Sequence, residues 1–158
     1  MKREVYETVH AQLPPLLEVC AGPVSALAST AALLHASFDH FFWTGFYLAA
    51  DDGSGDLVVG PYQGPLACTR IGKGRGVCGA AADRRETLVV PDVHAFPGHI
   101  ACSSASLSEI VVPLVVGDEV VGVLDVDSDQ PDAFDDEDRA GLEEVARLLV
   151  DAGNLAAD

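Results

Sequence analysis

The sequence predicts one domain (1–158) of the α/β (α+β) class, with helices towards both ends of the chain and antiparallel hairpins between them. Apolar residues recur at helical spacing from Pro23 to Phe38 and again from Asp135 to Leu149. Two pairs of aromatic or β-branched runs are each joined by a short turn rich in Gly and Asp, which is the signal of a β-hairpin. With 158 residues, 49% of them hydrophobic and 22% charged, the chain is long and apolar enough for one proper core.

In chain order, Arg3 to about Gln12 has a weak helical pattern, which Pro14-Pro15 should end or kink because proline lacks an N–H and its ring clashes with the preceding turn. From Pro23, the residues Val24, Leu27, Ala31, Leu34 and Phe38 define a helix that buries one face, with His35 at its boundary. Phe41 to Ala50 is strand-like, and Asp51-Asp52-Gly53-Ser54-Gly55 turns it into a second strand from Asp56 to Tyr62. Within the first strand Trp43, Phe46 and Tyr47 suit either plain core or an apolar wall for a small ligand. The segment Gln63 to Gly79 is rich in glycine and leads into a helical Ala80-Ala81-Ala82; its Gly-Lys-Gly-Arg-Gly run matches neither phosphate-loop nor dinucleotide spacing. Thr87 to Val90 forms a short strand, and Glu109–Val116 with Glu119–Asp127 form a hairpin about Gly117-Asp118. The last helix starts at a cap near Asp135, carries acids where the dipole favours them, and buries Leu142, Val145, Ala146 and Leu149.

A formal net charge of −16, with Lys2 and Lys73 as the only lysines, repels phosphate backbones and anionic lipids, so nucleic acid and membrane surfaces are not expected partners. The N-terminus lacks the apolar run of a signal peptide. The apolar stretch from Leu16 to Phe38 is interrupted by Glu18, Pro23 and His35 and is too polar to span a membrane. A cytoplasmic location is the expectation. There, cysteines are free, catalytic or redox-active more often than structural. Cys20 stands apart, while Cys68, Cys78 and Cys102 flank turn-rich segments able to converge.

The chemistry concentrates after the short strand. Asp92 to Cys102 packs two histidines, a Pro97-Gly98 bend and a cysteine into a segment too irregular for a strand. A short helix beginning near Ala101 would put Cys102 in its first turn, where unpaired N–H groups and the dipole lower a thiol's pKa; a protonated His99 would add to this. The alternative is a buried, inert thiol. On the second strand of the later hairpin, Val121, Val123, Asp125 and Asp127 share one face, and Gly122, Leu124 and Val126 the other. Pairing across the tight turn sets Glu109 opposite the Asp125–Asp127 end, so three carboxylates meet. Such a group receives a cation, a metal or a proton, and one member should hold its proton to unusually high pH. A thiolate beside an acid suits attack on an electrophilic atom whose leaving oxygen needs a proton.

Gly60-Pro61-Tyr62-Gln63-Gly64 with Ala67-Cys68, Gly74-Arg75-Gly76-Val77-Cys78-Gly79, the Asp92–Cys102 segment, Ser108-Glu109-Ile110-Val111-Val112-Pro113 and Gly122-Val123-Leu124-Asp125-Val126-Asp127-Ser128 closely resemble the free methionine-(R)-sulfoxide reductases, single GAF-domain enzymes. The resemblance runs from about Trp43 to the C-terminal helix. It implies a GAF fold: a central antiparallel sheet flanked by helices, with a loop-covered ligand pocket. It also implies that Cys102 attacks the sulfoxide sulfur, that Cys68 resolves the resulting sulfenic acid as a disulfide, and that Cys78 is a third cysteine serving as alternative partner or relay. Glu109, Asp125 and Asp127 match the family's pocket acids, and Trp43 and Tyr47 its aromatic wall. The family uses no metal or organic cofactor, thioredoxin is its usual reductant, and homodimers are frequent in it.

Pro65-Leu66, Ser103-Ser104, Leu107, Pro14-Pro15 and Cys20 depart from the family pattern, around the chemistry rather than within it. Three other readings compete. A non-catalytic GAF sensor leaves the cysteines idle. A zinc site of Cys68, Cys78, Cys102 and His94 or His99 lacks the short paired ligand spacing of structural zinc. A cysteine hydrolase using Cys102 and His99 leaves the acid cluster unused.

Overall fold

The computed structural model describes residues 1–100 and 105–155. Its elements are α1 (Lys2–Val19), α2 (Pro23–Ser37), β1 (Trp43–Ala49), β2 (Leu57–Gln63), β3 (Arg70–Ile71), α3 (Gly76–Arg84), β4 (Leu88–Val90), β5 (Ser108–Val116), β6 (Glu119–Ser128) and α4 (Asp136–Asp151), with a 3₁₀ turn at Val93–Ala95 after β4. The strands form one antiparallel sheet in the order β3-β2-β1-β6-β5-β4.

Period-two alternation gives this sheet two apolar faces. On one, Phe46, Ile110, Val112, Leu114, Leu124 and Val126 meet the helices: α2 lies over β1 and β2, α4 over β5, and α1 packs on both helices. On the other, Trp43, Tyr47, Val111 and Val123 meet α3 and the loops. The second face holds the site.

Helix α1 runs through Pro14 and Pro15, contrary to the break expected there. Both prolines are exposed, so the backbone carbonyls they leave without an N–H partner face water, while Leu13 and Leu17 on the opposite side are buried against the core. Burying two leucines, at about 1.5–3 kcal/mol each, offsets most of the interior-proline penalty of about 3 kcal/mol apiece. Helix α3 also begins earlier than the alanine run, at Gly76, and β3 lies unannounced inside the glycine-rich segment. A two-residue strand has too little pattern to detect.

Helix α4 opens with a capping box between Asp135 and Asp138. Buried Asp138 also accepts from Tyr6 Oη (2.7 Å) and Lys2 Nζ (2.6 Å), which fastens α1 to the start of α4. Gly141 lies directly under Tyr6, and a Cβ there would sit 2.4 Å from the ring. Gly141→Ala is therefore expected to cost about 1–3 kcal/mol by overpacking, visible as a lowered urea midpoint at unchanged slope.

Candidate active site

The hairpin turns at Gly117, whose φ of +62° suits glycine. That turn pairs Val116 with Glu119, and a register shift between Leu114 and Val115 then sets the rest of β5 against β6: Glu109 pairs with Asp127 and Val111 with Asp125. On the other side of β6, Trp43 pairs with Asp127, Gly45 with Asp125 and Tyr47 with Val123. Three strands thus present one cross-row of Trp43, Asp127 and Glu109, and the next row of Gly45, Asp125 and Val111, all on the face away from the helices. Gly45 must be bare, because a Cβ there would approach Tyr62 Cβ to 2.2 Å.

This face floors a cavity lined by Trp43, Tyr47, Cys78, Glu109, Asp125 and Asp127, and walled by Leu66, Ala67, Ile71, Gly76, Val77, His99, Ile100 and Ser106. The three acids, Trp43 and Tyr47 are all in it, whereas Phe46, the third aromatic named with them, is core on the helix face. Ser106, Ile71 and Ile100 carried no sequence signal; Ser106 Oγ donates to Asp127 Oδ2 at 3.4 Å. Gly76, which opens α3, has φ +62° and lies against Ile100, so it serves packing.

Among the described residues, no lysine or arginine lines the cavity. Burial, then the Asp125 and Asp127 charges, push Glu109 well above the ordinary carboxylate range, and burial with the Asp125 charge does the same to Asp127. Asp125 is raised by burial, against hydrogen bonding to Glu109, Asp127 and Cys78. Asp125 Oδ1 and Asp127 Oδ1 are buried and have no hydrogen-bond partner among the described residues. The cluster thus holds protons more readily than isolated carboxylates and offers two unpartnered oxygens to a cation.

Cys78 is a buried free thiol whose pKa burial and the neighbouring carboxylates drive up, so it is a poor thiolate at neutral pH. His99 lines the cavity, but burial and His94 lower its pKa, which works against the protonated form that would help a neighbouring thiol ionise. Cys102, with the short helix expected around it, lies outside the described residues.

Cys68 is disulfide-bonded, and the aromatic wall anchors its loop: Tyr47 Oη donates to Cys68 O at 2.8 Å and Trp43 Nε1 to Pro65 O at 3.1 Å. Trp43 stacks on Tyr47 and Tyr62 with ring centroids 5.8 and 5.0 Å away. The same rings therefore wall the cavity and hold the cysteine loop.

The GAF domain family matches residues 27–152. The free methionine-R-sulfoxide reductase of Escherichia coli (strain K12) is 45% identical over 148 residues, 94% of this chain and 88% of the relative. The chain belongs to the free methionine-R-sulfoxide reductase family of GAF-domain proteins. A reductase of this family from Neisseria meningitidis, solved in complex with its substrate, superposes with a TM-score of 0.92 at 48% identity, covering 96% of this chain and 90% of the other. GAF domain-containing protein A of Dictyostelium discoideum is 51% identical over 94% of this chain and 92% of its own length. The antiparallel sheet flanked by helices is thus the family's GAF fold, as the sequence motifs implied. No described helix is long and apolar enough to cross a membrane.

Proposed function

We propose that this protein reduces free L-methionine-(R)-sulfoxide to L-methionine. The observation that carries the reading is the sheet face on which Glu109, Asp125 and Asp127 stand beside Trp43 and Tyr47, an acid cluster next to an aromatic wall with no lysine or arginine among the described lining residues. A free amino acid brings an ammonium for the carboxylates and a methyl-sulfur end for the rings.

In the proposed cycle the Cys102 thiolate attacks the sulfoxide sulfur while the oxygen takes a proton from Glu109, the acid that burial and its neighbours keep protonated. Transfer of that oxygen to Cys102 releases methionine and leaves a cysteine sulfenic acid. The Cys68 thiol then attacks Cys102 Sγ, water leaves, and a Cys68–Cys102 disulfide forms. A dithiol reductant, thioredoxin, returns both thiols by exchange and takes up the oxidation. Cys78, deep in the pocket with a raised pKa, serves as a reserve partner rather than the nucleophile. The cycle needs no metal or organic cofactor, suits a reducing cytoplasm, and is compatible with a homodimer.

The test is NADPH oxidation with thioredoxin and its reductase on free R sulfoxide, free S sulfoxide and a peptide-bound R sulfoxide. Turnover of the free R epimer alone is the expected result. No turnover of any substrate by folded, reduced protein would favour a ligand-sensing GAF pocket instead.

Tyr47→Phe keeps the ring but removes the hydroxyl that holds Cys68 O. It is expected to slow disulfide closure several-fold more than methionine release, which trapping of the sulfenic acid by dimedone during one turnover would reveal as a longer-lived adduct-forming species.

A further inference from the structure

We propose that Cys78, Glu109 and Asp125 form a binding site for a thiophilic divalent cation, with Zn²⁺ the matching ion, and that the ion and the amine end of the substrate exclude one another. Cys78 Sγ and one carboxylate oxygen from each of Glu109 and Asp125 lie within 4.8 Å of one another, and all three residues are buried. Ligands of one zinc ion, at about 2.0–2.3 Å from the metal, stand within about 4 Å of each other, so a small inward adjustment completes the set. Asp125 lines the cavity and is only 4% exposed, and its buried Oδ1 has no hydrogen-bond partner among the described residues. That oxygen is available to coordinate an ion.

The chemistry selects the ion. An ammonium group satisfies carboxylates but gains nothing from a thiol, and Ca²⁺ or Mg²⁺ prefers an all-oxygen shell. One sulfur and two oxygens suit Zn²⁺, which deprotonates a coordinating thiol outright and so overcomes the raised pKa of Cys78. His99, which lines the same cavity, or a water molecule would take the fourth position. This site differs from a zinc site built on Cys68, Cys78, Cys102 and a histidine, because it needs one cysteine and two acids. Its inhibitory consequence rests on the reductase reading; binding of the ion does not.

The experiment is calorimetric titration of Zn²⁺ into chelator-treated, fully reduced protein, alone and with free methionine-R-sulfoxide present, repeated on Cys78→Ser and Asp125→Asn variants whose folding is checked by circular dichroism. One zinc per chain, an affinity at least about tenfold weaker in each variant, and weakening by added sulfoxide are expected. Titration with Co²⁺ should give a thiolate-to-metal charge-transfer band in wild type that Cys78→Ser lacks. No zinc binding by folded wild type, or binding and band unchanged in Cys78→Ser, would overturn the site. Zinc bound with both variant losses in a protein that turns over no sulfoxide would uphold the site and leave the reductase reading as the part that fails.

Discussion

Cys102→Ser is expected to abolish methionine formation even in a single turnover, by about 10³-fold or more, whereas Cys68→Ser should release one equivalent of methionine and then stall. The two variants separate the first bond-forming event from the second. Serine at position 102 has no thiolate to attack sulfur, so no oxygen leaves the substrate. Serine at position 68 leaves that attack intact and stalls the cycle at the sulfenic acid, because the resolving thiol is gone and Cys78, with its raised pKa, condenses slowly as the reserve partner. Mixing excess enzyme with sulfoxide and counting methionine by chromatography distinguishes them. Equal loss in both would contradict the assigned roles, and a single equivalent from Cys102→Ser would move the nucleophile elsewhere.

Glu109→Gln is expected to lower kcat by about 10²-fold or more while making the protein more stable at neutral pH, by about 1 kcal/mol or a few degrees in Tm. Both effects have one source. Burial and two neighbouring carboxylates raise the folded-state pKa of Glu109 well above its ordinary value of 4.5. A raised carboxyl pKa means the folded state holds the proton more tightly than the unfolded state does. Its contribution to stability is therefore fully present below about pH 4.5 and is lost as pH rises through the folded value. Glutamine keeps the shape and cannot ionise, so the variant and wild type should melt alike near pH ~4 and diverge towards pH ~7.5. A variant that melts lower at neutral pH, or one with unchanged kcat, would remove Glu109 from this role. Asp125 and Asp127 are also raised, first by burial, although hydrogen bonding to its neighbours opposes the rise at Asp125.

Much of this site is legible in the amino-acid sequence. Gly117-Asp118 between two β-branched runs sets a two-residue turn, and alternation puts Asp125 and Asp127 on one face; strict pairing from that turn would set Glu109 opposite Val126, and the register shift between Leu114 and Val115 moves it opposite Asp127 instead. A period of two suffices for the two aspartates, but Glu109 joins them only through that irregularity, which no turn signal announces. The same logic does not reach Trp43, whose pairing with Asp127 depends on β1 lying beside β6, a neighbour remote in the chain. The family motifs supplied that placement. Pro14-Pro15 shows the opposite case, where a strong local rule yielded to packing, because both prolines face water while Leu13 and Leu17 hold the core.

By itself the sequence determined the class of elements, the two hairpins, the shared face of Asp125 and Asp127 and, through its motifs, the family. These follow from short-range geometry: where chain neighbours must turn, and which side of a strand each residue takes. Only the tertiary structure decided that Cys78 stands among the acids, that Asp125 keeps a buried oxygen with no hydrogen-bond partner among the described residues, and that Tyr47 and Trp43 hold the loop of Cys68. Each of those depends on elements distant in sequence being pressed onto one face of the sheet, which burial of apolar surface drives and no local pattern encodes.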